Sequence, residues 1–214
     1  MKIEIWSDIA CPWCYIGKRR FEQAVAAFPQ RDALDIVWRS FELDPSAPAR
    51  HPQQTVALLA SKYGMSVEKA QAMMDNVARN GAGDGLQFRF ERSISGNTFD
   101  GHRLIHFAET RGQRAAMVER LFAAYFTDGE AVGDHATLAR LAADVGLDHA
   151  EVDAMLATDA HAEDVRADEQ RARDFGITGV PFFAIDEKYG ISGAQPASVI
   201  TEALTQAFAD HVAS

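Results

Sequence analysis

Cys11 and Cys14 stand near the start of the chain, inside WSDIACPWCYIGKRRFE, and they are its only two cysteines in 214 residues. A C-x-x-C pair supports three kinds of chemistry: a metal clip, a structural staple or a redox centre. A zinc clip needs four ligands, and there is no second C-x-x-C and no finger-like pair among the seven histidines. A metal shared between two copies of the chain stays open. A staple closing so short a loop restricts the unfolded chain little. The redox reading fits the local pattern best. With Cys11 as N-cap and Pro12 as the first helical residue, the Cys11 sulfur faces the free N–H groups of Trp13 and Cys14. Those donors and the positive end of the helix dipole favour a thiolate, which is a nucleophile. Cys14 shares the first turn and is the natural resolving thiol. Asp8, just upstream, reads as a polar turn residue; a proton relay is the alternative.

A second clue is GITGVPFF at 176–183, directly before a strand. Proline is permitted at the first position of a strand. The sequence leaves both isomers of the Val180–Pro181 bond open.

The elements that must position these residues follow from periodicity. Ile3 and Ile5 alternate with Lys2 and Glu4, which predicts a strand over 2–7. Phe21, Ala24, Val25 and Phe28 form one stripe of a helix over 12–28, closed by Pro29. LDIVWRSF at 34–41 is rich in β-formers and predicts a second strand, giving a βαβ unit with parallel strands. DPSAPARHP at 44–52 is a boundary. From there to Gly176 the pattern is mostly helical. Val67, Ala70, Met74 and Val77 share a face; so do Leu104, Ile105 and Ala108, then Leu121, Phe122 and Tyr125, then Leu138, Leu141 and Val145. Asp134 and Asp148 read as N-caps, and Gly112, Gly129 and Gly146 as helix ends. Met73, Met74 and Met117 read as core rather than as a soft binding surface. NGAGDGLQFRFERSISG at 80–96 is the main irregular piece. After Gly176, VPFFAID and YGISG predict two short strands joined by a tight turn. Pro196 then opens a last helix with Val199, Ile200, Ala203, Leu204, Ala207 and Phe208 inward.

Composition excludes several classes. Hydrophobic residues make up 47%, an ordinary globular value. With 21 Lys+Arg against 31 Asp+Glu, the formal charge is -10. Such a surface repels phosphate backbones and anionic lipid, so neither nucleic acid nor a membrane is expected as a partner. No apolar run is long enough to span a bilayer. MKIEIWSD lacks the apolar region of a secretory signal, so a cytoplasmic location is expected.

These motifs resemble the thioredoxin superfamily. The helical insertion resembles its DsbA-like branch, and more closely the FrnE-type group of cytosolic polyketide-biosynthesis dithiol–disulfide isomerases. SDIACPWCYIGKRRFE, FELDP, GNTFDGHRL and GVPFF…ISGAQP carry the likeness over nearly the whole length. It implies an α/β thioredoxin fold with a large all-helical domain inserted between the βαβ and ββα halves: 1–45 and 176–214 as the thioredoxin-like domain, 46–175 as the insert. It implies Cys11 as attacking thiolate, Cys14 as its partner, and a cis Pro181 beside them. The backbone of Val180 would pair with bound substrate, and Pro12 and Trp13 would tune the redox potential. Asn97, Thr98 and His102 match a segment near the active-site mouth in the subgroup. Helix capping is the competing role for Asn97 and Thr98, and a surface or capping role for His102. Kappa-class glutathione transferases and 2-hydroxychromene-2-carboxylate isomerases share this branch but typically carry serine first and lack the second cysteine. SGAQ at 192–195 occupies the place where those relatives hold glutathione, which makes Gln195 a candidate contact.

The expected function is cytosolic thiol–disulfide oxidoreduction or disulfide isomerisation through a Cys11–Cys14 pair, on a protein or small-molecule disulfide or dithiol. No metal or cofactor is expected; glutathione as co-substrate and a homodimer remain open. The alternatives are a glutathione-dependent isomerase or transferase, and a non-enzymatic partner- or metal-binding protein.

Overall fold

The computed structural model describes residues 1–213. The chain begins with β1 (Lys2–Ser7), α1 (Pro12–Ala27) and β2 (Asp35–Ser40), the three elements of the predicted βαβ unit. β1 and β2 are parallel, in register from Lys2 opposite Asp35 to Ser7 opposite Ser40. Seven helices follow: α2 (Thr55–Lys62), α3 (Val67–Gly83), α4 (Phe99–Glu109), α5 (Arg114–Ala123), α6 (His135–Asp144), α7 (His149–Leu156) and α8 (Ala162–Asp174). α5 runs into a π-turn over Ala124–Asp128. The chain then returns as β3 (Phe182–Ile185), β4 (Tyr189–Ser192) and α9 (Ala197–Val212). The sheet order is β2-β1-β3-β4, with β3 antiparallel to both β1 and β4.

The strand alternation divides β1 between two layers. Ile3 and Ile5, with Phe183 and Ile185 of β3, join the large core against α1 and α9. Trp6 and Ala184 point to the other face, against Ala172 of α8 and Ile177. Trp6 Nε1 donates to the Asp168 carbonyl at 3.0 Å, which ties α8 to the sheet. Glu4 is buried on β1 and accepts from Arg39 of β2 and Arg171 of α8.

One continuous buried cluster runs from the sheet into the helical half. Tyr15 of α1 carries it across, stacking on Phe122 with centroids 4.9 Å apart and meeting Phe88 and Phe126 edge-on or stacked. Beside that contact, Lys18 is buried and its Nζ donates to Glu119 of α5 at 2.6 Å. Burial alone would raise the Glu119 carboxyl, but hydrogen bonds from Arg19 and Lys18 hold it at about 2.

Local signals form as expected. Asp134 and Asp148 cap α6 and α7, accepting from the N–H groups of Thr137 and Glu151. Three expectations are corrected. α3 extends through Gly83, so the first residues of the 80–96 segment are helical. Val67 and Val199 sit in the first turns of α3 and α9 and are exposed, because neither end is covered by a neighbour. Met117 and Met74 are buried as expected, but Met73 is 36% exposed and lines an open cavity with Met74.

Candidate active site

Cys11 is the N-cap of α1, Pro12 opens the helix, and Cys14 lies one turn inside. Three backbone bonds shape the entry: Cys11 N–H to the Asp8 carbonyl, and the N–H groups of Cys14 and Tyr15 to the Cys11 carbonyl. Both cysteines are free thiols and buried, at 5% and 1% exposure. The Cys11 sulfur departs from expectation. It makes no capping bond to the helix N–H groups. It points instead at the Val180 carbonyl, with Sγ to O of 3.6 Å. The reason is tertiary: the Val180–Pro181 segment folds back over the start of α1, and the Val180–Pro181 bond is cis.

Gly17 permits that approach, and the sequence reading passed over it. A Cβ at Gly17 would stand 2.9 Å from Pro181 Cγ, a separation real side chains do not tolerate. A glycine in mid-helix costs stability relative to alanine, which is the signal that marks such a contact.

Burial raises the Cys14 thiol well above its ordinary value, and neighbouring Cys11 adds to this. The Asp8 N–H and the Ser7 hydroxyl, placed at the same sulfur, act the other way. Burial and the neighbouring sulfur thus both disfavour the Cys14 thiolate.

Asp8 is 1% exposed and fully engaged. Its Oδ1 accepts from Ala10 N–H at 3.2 Å and its Oδ2 from Leu43 N–H at 2.7 Å. It joins the loop before Cys11 to the loop after β2, and the turn reading holds in a buried form. His102 is not a surface residue. It is 2% exposed on α4, with Nε2 3.4 Å from Asp8 Oδ1. Nearby Glu42 is also buried; its Oε2 accepts from Arg166 at 2.5 Å, while its Oε1 has no partner. Burial raises the Glu42 carboxyl, with Arg166 opposing.

The other site residues separate. Trp13 is 37% exposed beside the thiols, and with Pro12 and Cys11 it lines a cavity of about 510 Å³. Asn97 accepts from Phe99 N–H at 2.8 Å, so it orders the start of α4. Gln195 donates to the Ser192 carbonyl at 2.9 Å, turned back on its own loop. Asn97, His102 and Gln195 all lie outside the cavity lining, whereas Thr98 belongs to it. Among the described residues, no group of three or more His, Cys, Asp or Glu could hold a metal ion. No helix among them is long and apolar enough to cross a membrane.

The model of the DSBA-like thioredoxin domain matches residues 2–205. This chain belongs to the DsbA-like thioredoxin family. The crystal structure of a probable DsbA oxidoreductase, SCO1869, from Streptomyces coelicolor is 51% identical, with a TM-score of 0.94 over 98% of this chain and 90% of that one. Two more distant structures share the fold. A 2-hydroxychromene-2-carboxylate isomerase superposes with a TM-score of 0.73 at 16% identity, covering 99% of this chain and 98% of its own. The cytosolic disulfide reductase DsbM of Pseudomonas aeruginosa gives 0.66 at 18%, covering 96% and 100%, and has also been solved with GSH.

Proposed function

We propose that this DsbA-like protein is a cytosolic thiol–disulfide oxidoreductase of the FrnE type whose redox pair is Cys11 and Cys14. The observation that carries the reading is the placement of Cys11 at the head of α1, one turn from the Cys14 thiol and 3.6 Å from the Val180 carbonyl. The cytosolic assignment draws on the structural likeness to DsbM, itself a cytosolic disulfide reductase.

In the forward direction the Cys11 thiolate attacks one sulfur of a substrate disulfide. The substrate S–S bond breaks, one thiolate leaves and takes a proton from water, and a mixed disulfide forms on Cys11. Cys14 then loses its proton and attacks Cys11 Sγ. The second substrate thiolate leaves, the substrate has gained two electrons, and Cys11–Cys14 is oxidised. The reverse sequence oxidises a dithiol. The Val180 carbonyl borders the attacking sulfur, and Val180 and Pro181 lie outside the lining of the cavity that opens beside Cys11. Pro12 and Trp13 separate the two sulfurs and border the entrance.

A redox titration in glutathione buffers, followed by alkylation and mass spectrometry, tests this. The expected result is a reversible two-electron transition with an intramolecular Cys11–Cys14 disulfide. Cys11→Ser abolishes turnover and Cys14→Ser accumulates mixed disulfides. A protein that stops at a Cys11–glutathione adduct, with activity surviving loss of Cys14, would instead be a glutathione-dependent isomerase or transferase.

A further inference from the structure

The cavity beside Cys11 narrows the substrate class. It holds about 510 Å³, within the range of small-molecule sites and far too small for a folded domain. Its lining includes the buried Met74, Tyr125 and Phe126 and the half-buried Leu59 and Phe90. Phe126 and Tyr125 are brought there by the π-turn that ends α5, a local irregularity common at functional sites. The rim carries apolar side chains left open to solvent: Trp13, Leu43, Tyr63 and Met73 at 37%, 43%, 57% and 36% exposure.

Charge is scarce among the described residues that line it. They are Asp8, Asp44 and Lys62, with one histidine, His51, and no arginine. Asp8 is held by two backbone N–H groups, and Lys62 Nζ is 3.9 Å from Asp44 Oδ2. A substrate carboxylate entering this space would shed water and meet the like charges of Asp8 and Asp44, against a single lysine and one histidine. An aromatic or branched aliphatic group would meet rings and thioethers.

We infer that the substrate is an uncharged small organic disulfide, or the corresponding dithiol in reverse, bearing aromatic or bulky aliphatic groups. Glutathione disulfide, with its four carboxylates, is disfavoured. The inference rests on the redox reading above. The apolar group occupies the cavity while its disulfide sulfur meets Cys11 at the inner edge. The electron balance is that of the dithiol–disulfide exchange already given, with the organic disulfide as oxidant and two organic thiols as product.

The test uses reduced full-length protein, three small disulfides and a cystine-bridged peptide. N,N′-diacetylcystamine and N,N′-dibenzoylcystamine are both neutral and differ only in the aromatic ring; glutathione disulfide is charged. Rates of Cys11–Cys14 oxidation are followed by fluorescence and confirmed by mass spectrometry, each divided by the rate of the same disulfide with dithiothreitol. The dibenzoyl compound should react about tenfold faster than the diacetyl compound, from burial of its ring. Glutathione disulfide should be no faster than the diacetyl compound. Met73→Lys and Tyr63→Lys, both at exposed rim positions, should lower the dibenzoyl-to-diacetyl ratio at least about threefold and raise the relative rate of glutathione disulfide. A ratio near one, or preference for glutathione disulfide, overturns the substrate class while the redox reading stands. A cystine-bridged peptide reacting faster than the dibenzoyl compound overturns it in favour of a polypeptide substrate. If none of the disulfides oxidises the pair, the redox reading fails and the inference with it.

Discussion

At the scale of single residues, the candidate site is a pair of thiols supported by buried polar groups that hold the surrounding loops. Asp8 is the clearest of them. Its two oxygens satisfy the N–H groups of Ala10 and Leu43, one on each side of the active-site loop. Asp8→Ala orphans both donors and should cost about 1–3 kcal/mol for each. Asp8→Asn keeps one acceptor oxygen and should lose less. Urea unfolding of the reduced protein measures both, and an alanine variant as stable as the wild type would show that these bonds hold nothing. The cysteine pair was readable because its logic is local: N-cap, proline, first turn. The role of Asp8 was not, because its partners Leu43 and His102 lie 35 and 94 positions away. The orientation of the Cys11 sulfur escaped the sequence for the same reason. Helix geometry aims it at α1, and only the distant Val180 carbonyl draws it elsewhere.

At the scale of elements, α1 must come close enough to the Val180–Pro181 segment for the sulfur and carbonyl to meet. Gly17 sets that distance. Gly17→Val places a branched side chain against Pro181 and the Phe183 ring, and should destabilise by about 2 kcal/mol or more through overpacking. Gly17→Ala is the finer probe. It gains about 1 kcal/mol of helix propensity but forces Pro181 to give way. The expected outcome is slower oxidation of Cys11 by a small neutral disulfide with little net change in unfolding free energy. Stopped-flow fluorescence and urea titration separate the two effects; an alanine variant with wild-type kinetics would show that Gly17 does not set the approach. Caps and strand alternation made most element bounds legible, as Asp134 and Asp148 illustrate. Element ends were less so. Val67 and Val199 have the spacing of their helix faces but lie in first turns that no neighbour covers. Met73 misled for another reason: periodicity marks an apolar face without saying whether a core or a cavity lies against it.

At the scale of the whole molecule, β1 and β2 are held to α8 through a charged cluster beside the sheet. Glu4 of β1 accepts from Arg39 of β2 at 2.8 Å and from Arg171 of α8 at 2.9 Å, and Arg39 also donates to Asp168 at 2.8 Å. The sequence showed that β elements bracket a helical middle, but it could not show this fastening, which depends on residues brought together from 4, 39, 168 and 171. Burial alone would raise the Glu4 carboxyl. The two guanidinium groups outweigh it and bring the value from 4.5 down to about 2. A carboxyl lowered in the folded state binds protons more weakly there than in the unfolded chain. Its stabilising contribution is therefore complete above about pH 4.5 and is lost as pH falls toward 2. For a side chain only 1% exposed, the loss should be on the order of 2–3 kcal/mol across that window. Glu4→Gln removes the titration but leaves both arginines short of a charge, so it should be less stable than the wild type at pH 7. The gap between the two proteins should then narrow steadily from pH 4.5 to pH 2, whatever the other carboxylates contribute, because those titrate in both. Urea unfolding at a series of pH values measures this difference directly, and a gap that stays constant over the window would mean that Glu4 is not the group fastening the sheet to α8.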